Sequence, residues 1–258
     1  MSTLTHVPTK LGNIAVEIEK REGATPVIFL HSVYLDRHLW DTQAAAVHDR
    51  TVLTMDMPHH GESTDTPFGW NVGDCADMLL QVLDQLKIDR VIAIGHSWGS
   101  MTIMRAAVRN PQRFAAVGLG NMPLEPGTRM KLLGYYLQFS MLPFRSFYAA
   151  QAAKVLFAPE SLKAHPEFAA GLKVTMDRLS DREVRQVDIA VVIKPDDGFV
   201  VARRLAVPVL ALRGEKDYVP EPPSIQTVTV PGGHISPLEA PRQVQDFVQR
   251  VIKLAESA

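Results

Sequence analysis

The sequence predicts an α/β fold: a mostly parallel, doubly wound sheet with a helical segment inserted into it. Three observations carry this expectation. Short continuous apolar runs, such as Pro26-Val27-Ile28-Phe29-Leu30, alternate with stretches of helical periodicity, and strands buried on both faces have this unbroken apolar character. The alternation stops near position 123 and resumes near 198, which places an insertion between two parts of one sheet. A chain of 258 residues with 46% hydrophobic content also has enough apolar surface for one such domain. The expected boundaries are 1–122 and 198–258 for the core and 123–197 for a helical lid.

Residues 3–19 alternate weakly around Leu11-Gly12-Asn13, the pattern of a β-hairpin with a glycine turn. The run ending at Leu30 is a buried strand, followed by a helix expected over 37–48 and a second buried strand over 51–56. Met57-Pro58-His59-His60-Gly61-Glu62-Ser63 is a loop by its proline and glycine. Met78, Val82, Leu83 and Leu86 form one stripe of a helix over 74–86. A strand at 91–94 then runs into a helix that stops before Pro111, as helices do ahead of proline. Strands follow at 114–119, 207–213 and 226–230, and Val244, Phe247, Val248, Val251 and Ile252 mark a closing helix.

Composition narrows the function classes. A net charge of −1 argues against nucleic acid or an anionic membrane as the main partner. The first residues show neither a basic n-region nor an apolar h-region, and the single Cys75 cannot form an internal disulfide; both fit a cytoplasmic setting. No stretch of eighteen apolar residues occurs. The nine histidines are scattered, without His-Glu-x-x-His spacing, so neither a metal nor another cofactor is expected.

Chemistry concentrates at Gly95-His96-Ser97-Trp98-Gly99. The motif lies between a buried strand and a helix, the context of a nucleophile elbow, where a serine is presented on a strained turn. A serine hydroxyl needs a base to take its proton and a third group to orient that base. An elbow of this kind draws its acid and then its histidine from further along the chain. Two histidines follow Ser97: His165, within the lid, and His234, on Gly232-Gly233 just past the last strand. His234 is the expected base. Asp217, in Gly214-Glu215-Lys216-Asp217, is the first choice of acid, with Glu215 as a surface alternative in the same loop and Glu125, beyond the strand after the elbow, as the alternative elsewhere. The backbone N–H groups of Trp98 and Val33 are the expected donors to an oxyanion. Tyr34, Trp98 and Tyr136 are the expected substrate-binding side chains.

On these residues the chain resembles α/β-hydrolase-fold proteins of the esterase, enol-lactonase and cofactor-free haloperoxidase type. His31-Ser32-Val33 with Asp36 and Trp40 matches that family's His-Gly-x segment, and 56–63 matches its Asp-x-Pro-Gly-His-Gly-x-Ser segment. The elbow, the strand and acid loop at 208–220, and Gly232-Gly233-His234 match as well. Three features depart from the pattern. Ser32 stands for a glycine of the oxyanion loop, and His59 stands for a turn glycine, where a left-handed backbone is strained. Only 17 positions separate Asp217 from His234, with Pro220, Pro222 and Pro223 at the start. The family's helix there should therefore be replaced by an extended connection, exposing a sheet face that leaves room for a homodimer. Asp56 and His60 are expected to hold their loop rather than to react.

The resemblance implies a serine hydrolase acting through an acyl-enzyme on a small, largely apolar carboxylic ester or lactone. Hydrolysis of a carbon–carbon bond in a diketone by the same triad is the enzymatic alternative. A ligand-binding receptor with little turnover is the alternative outside enzymes.

Overall fold

Leu30 and Gly95 lie side by side in parallel register, and the two chain segments that leave them meet at the candidate site. The computed structural model describes residues 2–126, 134–135 and 138–257. Its eight strands form one sheet in the order β1-β2-β4-β3-β5-β6-β7-β8. The first two, β1 (Ser2–Thr9) and β2 (Gly12–Glu19), form the expected hairpin and join β4 (Arg50–Met55) antiparallel. From β4 through β3 (Ala24–Leu30), β5 (Val91–His96), β6 (Phe114–Gly120), β7 (Val209–Gly214) and β8 (Thr227–Val230), every pairing is parallel.

The strand order reverses at β3. Its sequence successor β4 lies on one side and β5 on the other. The segments leaving β3 and β5 therefore diverge and open a crevice at their carboxyl ends, where open α/β sheets bind ligands.

Helices cover both faces. Helix α1 (Asp41–Ala45) packs with the carboxyl-terminal helix on one face, and α2 (Val72–Gln85) packs with α3 (Trp98–Arg109) on the other. The expected helix over 37–48 is shorter. It begins as a 3₁₀ turn at Arg37–Trp40, because the Asp36 carboxylate accepts from His38 N–H and the buried Asp56 carboxylate holds Arg37. Helix α2 starts from a capping box in which Asn71 and Asp74 satisfy each other's backbone N–H groups.

Between β6 and β7 the described residues hold α4 (Arg145–Leu156), α5 (Pro159–Ala164), α6 (Glu167–Asp177), α7 (Asp181–Val187), a π-helical turn at Asp188–Ile193 and α8 (Gly198–Ala202). After β8 come α9 (Ser236–Glu239) and α10 (Pro241–Glu256). The buried side of α10 consists of Val244, Phe247, Val248, Val251 and Ile252, the stripe read from the sequence. Each is worth roughly 1.5–3 kcal/mol by its burial. No described helix is long and apolar enough to cross a membrane.

Candidate active site

Ser97 sits between the end of β5 and the start of α3 with φ 51° and ψ −110°. A non-glycine residue held there stores roughly 1–3 kcal/mol of strain. The surrounding backbone fixes it: Ser97 N–H donates to Gly120 O at 2.8 Å, Met101 N–H donates to Ser97 O at 3.0 Å, and Gly99 N–H donates to His31 O at 3.1 Å. The flanking glycines are required by close approach. A Cβ on Gly95 would lie 2.5 Å from the Gly99 carbonyl carbon, and one on Gly99 would lie 2.4 Å from Leu30 O.

Two strand ends bring the other groups to Ser97. His234 lies four residues past β8 and Asp217 three residues past β7, and those strands pair through Gly214 and Val230. Ser97 Oγ–H donates to His234 Nε2 at 2.9 Å, and His234 Nδ1–H donates to Asp217 Oδ1 at 2.9 Å. All three residues are buried. The network fixes the histidine tautomer, with the proton on Nδ1.

Burial pushes the Asp217 carboxyl up, but the hydrogen bond and charge of His234 outweigh it, aided by Asn121 Nδ2 at 2.7 Å and Val219 N–H at 3.1 Å. The net result is a carboxyl below its ordinary range, ionised at neutral pH. The Asp217–His234 connection contains neither helix nor strand between Gly214 and Thr227. It is the extended crossing the prolines required. Glu125, the other acid considered, lies in the wall of the cavity above.

The His234 loop is held from two sides. His96 Nε2–H donates to His234 O at 2.6 Å, and both His234 N–H and Ile235 N–H donate to Leu156 O at the end of α4. Tyr218 stacks on the His234 ring with centroids 4.8 Å apart. Asn121, Tyr218 and His96 were not singled out from the sequence. Asn121 directly follows β6, and its place at a strand's carboxyl end beside the elbow is the signal that marks it.

The loop after β3 is braced by neutral histidines. His31 Nε2 accepts from Met57 N–H at 2.8 Å and His60 Nε2 accepts from Tyr34 N–H at 3.0 Å, while their Nδ1 atoms face the carbonyls of Ser32 and Pro58. Burial lowers both, His60 to about 3. Asp56 accepts from Arg37 N–H, Arg37 Nη1 and Glu62 N–H, so it and His60 hold their loop. His59 does adopt a left-handed backbone, at φ 66°. The Ser32 hydroxyl is buried with no hydrogen-bond partner among the described residues.

Above Ser97 is a cavity of about 280 Å³ lined mainly by apolar groups, among them Val33, Leu124, Tyr135, Val191, Val192 and Tyr218. Val33 shares this cavity with Ser97, and Trp98 opens α3, where N–H groups have no acceptor within the helix. Two expected substrate contacts are corrected. The Trp98 ring does not line the cavity and stacks on Trp70, with centroids 5.5 Å apart and planes 4° from parallel. Tyr34 is buried with its phenol on Asp188 and does not line the cavity. The physical reason is common to both: neighbouring segments (the 57–71 loop for Trp98, the insertion for Tyr34) offer the rings partners closer than the cavity. Tyr136 lies outside the described residues. Among the described residues, no group of three or more His, Cys, Asp or Glu is placed to hold a metal ion.

A sequence profile for the alpha/beta hydrolase fold matches residues 25–241. The chain belongs to the α/β-hydrolase fold family. Among its relatives, the dihydrolipoyllysine-residue acetyltransferase component of the acetoin cleaving system of Pseudomonas putida is 27% identical over 236 residues, covering 86% of this chain and 62% of that protein. The 3-oxoadipate enol-lactonase 1 of Acinetobacter baylyi is 28% identical over 109 residues, 42% of this chain and 41% of that enzyme. The chain thus spans less than two thirds of the length of the curated relatives it matches. In three dimensions, an esterase of Thermogutta terrifontis superposes with a TM-score of 0.83 at 20% identity, over 99% of both chains. The enol-lactonase of Burkholderia xenovorans LB400 does so with 0.83 at 20% identity, over 93% of this chain and 96% of that one. These two likenesses establish the fold.

Proposed function

We propose that this protein is a serine hydrolase that cleaves a small, largely apolar carboxylic ester or lactone through an acyl-enzyme. The observation that carries the reading is the hydrogen-bonded line from Asp217 through His234 to Ser97 at the floor of an apolar cavity.

In this reading His234 Nε2 takes the Ser97 proton as Oγ attacks the carbonyl carbon. The imidazolium is stabilised by ionised Asp217, which does not take the proton itself. The N–H groups of Val33 and Trp98 receive the oxyanion, a contribution commonly worth about 3–4 kcal/mol per donor. The imidazolium then protonates the leaving alcohol oxygen. In the second half His234 takes a proton from water, the resulting hydroxide attacks the acyl carbon, and Ser97 leaves with the proton returned. The insertion over the cavity serves as a lid, and Tyr135, Val191, Val192 and Tyr218 give it an apolar wall. The volume suits a short acyl chain or a small ring rather than a long-chain lipid. The names of the esterase and enol-lactonase relatives agree with this class.

The test is a panel of p-nitrophenyl esters of increasing acyl length, simple lactones and vinylogous diketones, run with the wild type and Ser97→Ala. Turnover of short esters or lactones that vanishes in the variant is the expected result. Activity confined to diketones would replace ester cleavage by carbon–carbon bond hydrolysis. Tight binding without turnover would make the protein a receptor.

A further inference from the structure

Tyr34 is held by hydrogen bonds at its N–H, its carbonyl and its phenol. It lies at φ 63°, a left-handed backbone that bulky residues rarely adopt. Its N–H donates to His60 of the core loop at 3.0 Å, and its carbonyl accepts from Thr175 Oγ1 of α6. Its phenol donates to Asp188 Oδ1, while Tyr148 of α4 donates to Asp188 Oδ2 at 2.8 Å. The two phenol oxygens are 3.4 Å apart. One residue of the core is thus held by three separate parts of the insertion and by a core histidine.

Stability does not explain this cluster. Asp188 is 1% exposed, and both of its carboxylate oxygens are taken by phenols rather than by a cation. Burial lifts its carboxyl to about 6, against the pull of the two phenol hydrogen bonds. Its ionised form is therefore a cost at neutral pH that a packed apolar side chain would avoid. Two features of position point to function instead. Asp188 opens the π-helical turn that also carries Val191 and Val192 of the cavity wall, and such turns recur at functional sites. Tyr34 directly follows Val33, the expected oxyanion donor, which shares the cavity with Ser97.

We infer that Tyr34 is a positioning residue: clamped by Asp188 and Tyr148 of the lid and by His60 of the core, it fixes the strained backbone that aims the Val33 N–H at the oxyanion. Seating the lid and completing the oxyanion site are then one event. This rests on the serine-hydrolase reading above. It goes beyond it in giving the lid a catalytic consequence through residues that touch no substrate.

The test compares wild type, Tyr34→Phe, Asp188→Asn and Tyr148→Phe, using kcat and KM on p-nitrophenyl butyrate and inhibition by a trifluoromethyl ketone that forms a tetrahedral adduct. Fluorophosphonate labelling of Ser97 and thermal midpoints are measured alongside. Tyr34→Phe is expected to lower kcat about tenfold with KM changed less than twofold, and to weaken ketone binding in proportion. Asp188→Asn is expected to slow turnover in the same manner without lowering its thermal midpoint, a combination a purely structural role does not produce. It also keeps the test decisive if Tyr34→Phe fails to fold. Unchanged kcat in folded Tyr34→Phe and Asp188→Asn overturns the clamp, as does a rise in KM with kcat intact, which would make Tyr34 a pocket contact. A wild type whose Ser97 does not label at all overturns the hydrolase reading and the clamp with it, whereas a labelled wild type with unaffected variants overturns the clamp alone.

Discussion

Replacing Asp217 with asparagine removes one charge from the centre of the site and leaves its shape. The carboxylate lies 2.9 Å from His234 Nδ1, is buried, and accepts further hydrogen bonds from Asn121 and Val219. In the proposed reaction His234 takes the Ser97 proton, and its charge centre then stands about 4 Å from that of the carboxylate. Two unit charges so placed attract by about 4 kcal/mol at an effective dielectric near 20, which is close to three powers of ten in rate. The amide adds a second penalty, because its NH₂ group can donate to Nδ1 and leave the proton on Nε2, where Ser97 needs an acceptor. Asp217→Asn should therefore lower kcat by about 10³–10⁴ with KM changed only a few-fold. Steady-state hydrolysis of p-nitrophenyl butyrate at pH 7.5, corrected for the fraction of enzyme that labels with a fluorophosphonate, measures it. A loss below tenfold would refute the reasoning, and a larger loss in Glu125→Gln would move the acid to the cavity wall.

Other consequences follow from the same contacts. Asn121→Ala strips Asp217 Oδ2 of its 2.7 Å donor, and an unpaired buried acceptor costs about 1–3 kcal/mol; kcat should fall about tenfold or more, and an unchanged kcat would show the bond to be idle. Gly99→Ala drives a Cβ to 2.4 Å from Leu30 O, so urea unfolding should show about 1–3 kcal/mol lost to overpacking, whereas a wild-type midpoint would mean the elbow yields. His60 and His96 are buried neutral, burial holding each near 3 against an ordinary value of 6.5. With folded values depressed, the unfolded chain takes up the extra protons below pH 6.5. Stability therefore falls as the pH drops, by about 2 kcal/mol per histidine between pH 7 and 5. Urea midpoints at pH 7 and 5 test this, and His60→Asn should flatten the slope; equal midpoints at both pH values in the wild type would contradict it.

Much of the fold was legible because a parallel sheet covered on both faces writes itself as continuous apolar runs, and β3, β4, β5 and β6 all fall on such runs. That Ser97, His234 and Asp217 come together was legible, because each lies just past a strand's carboxyl end, on a turn whose glycines the close packing demands. The substrate contacts were not. Whether Trp98 faces the cavity depends on Trp70, which arrives from a loop 28 positions earlier in the chain. Tyr34 is turned by Asp188, whose burial depends on how the described helices between β6 and β7 fold back. No local pattern encodes such contacts. Asn121 is a different case: its place after a strand marks it as a candidate, but a single polar residue carries no periodicity, and its partner Asp217 is set only when β6 and β7 pair.

The central claim is that Ser97 is the nucleophile. Incubation with a fluorophosphonate followed by mass spectrometry of the tryptic peptides tests it most directly. The account predicts one adduct, on the peptide carrying Ser97, formed in step with loss of esterase activity and absent from Ser97→Ala. An adduct that persists in Ser97→Ala, or one that maps elsewhere while activity is lost, would contradict it.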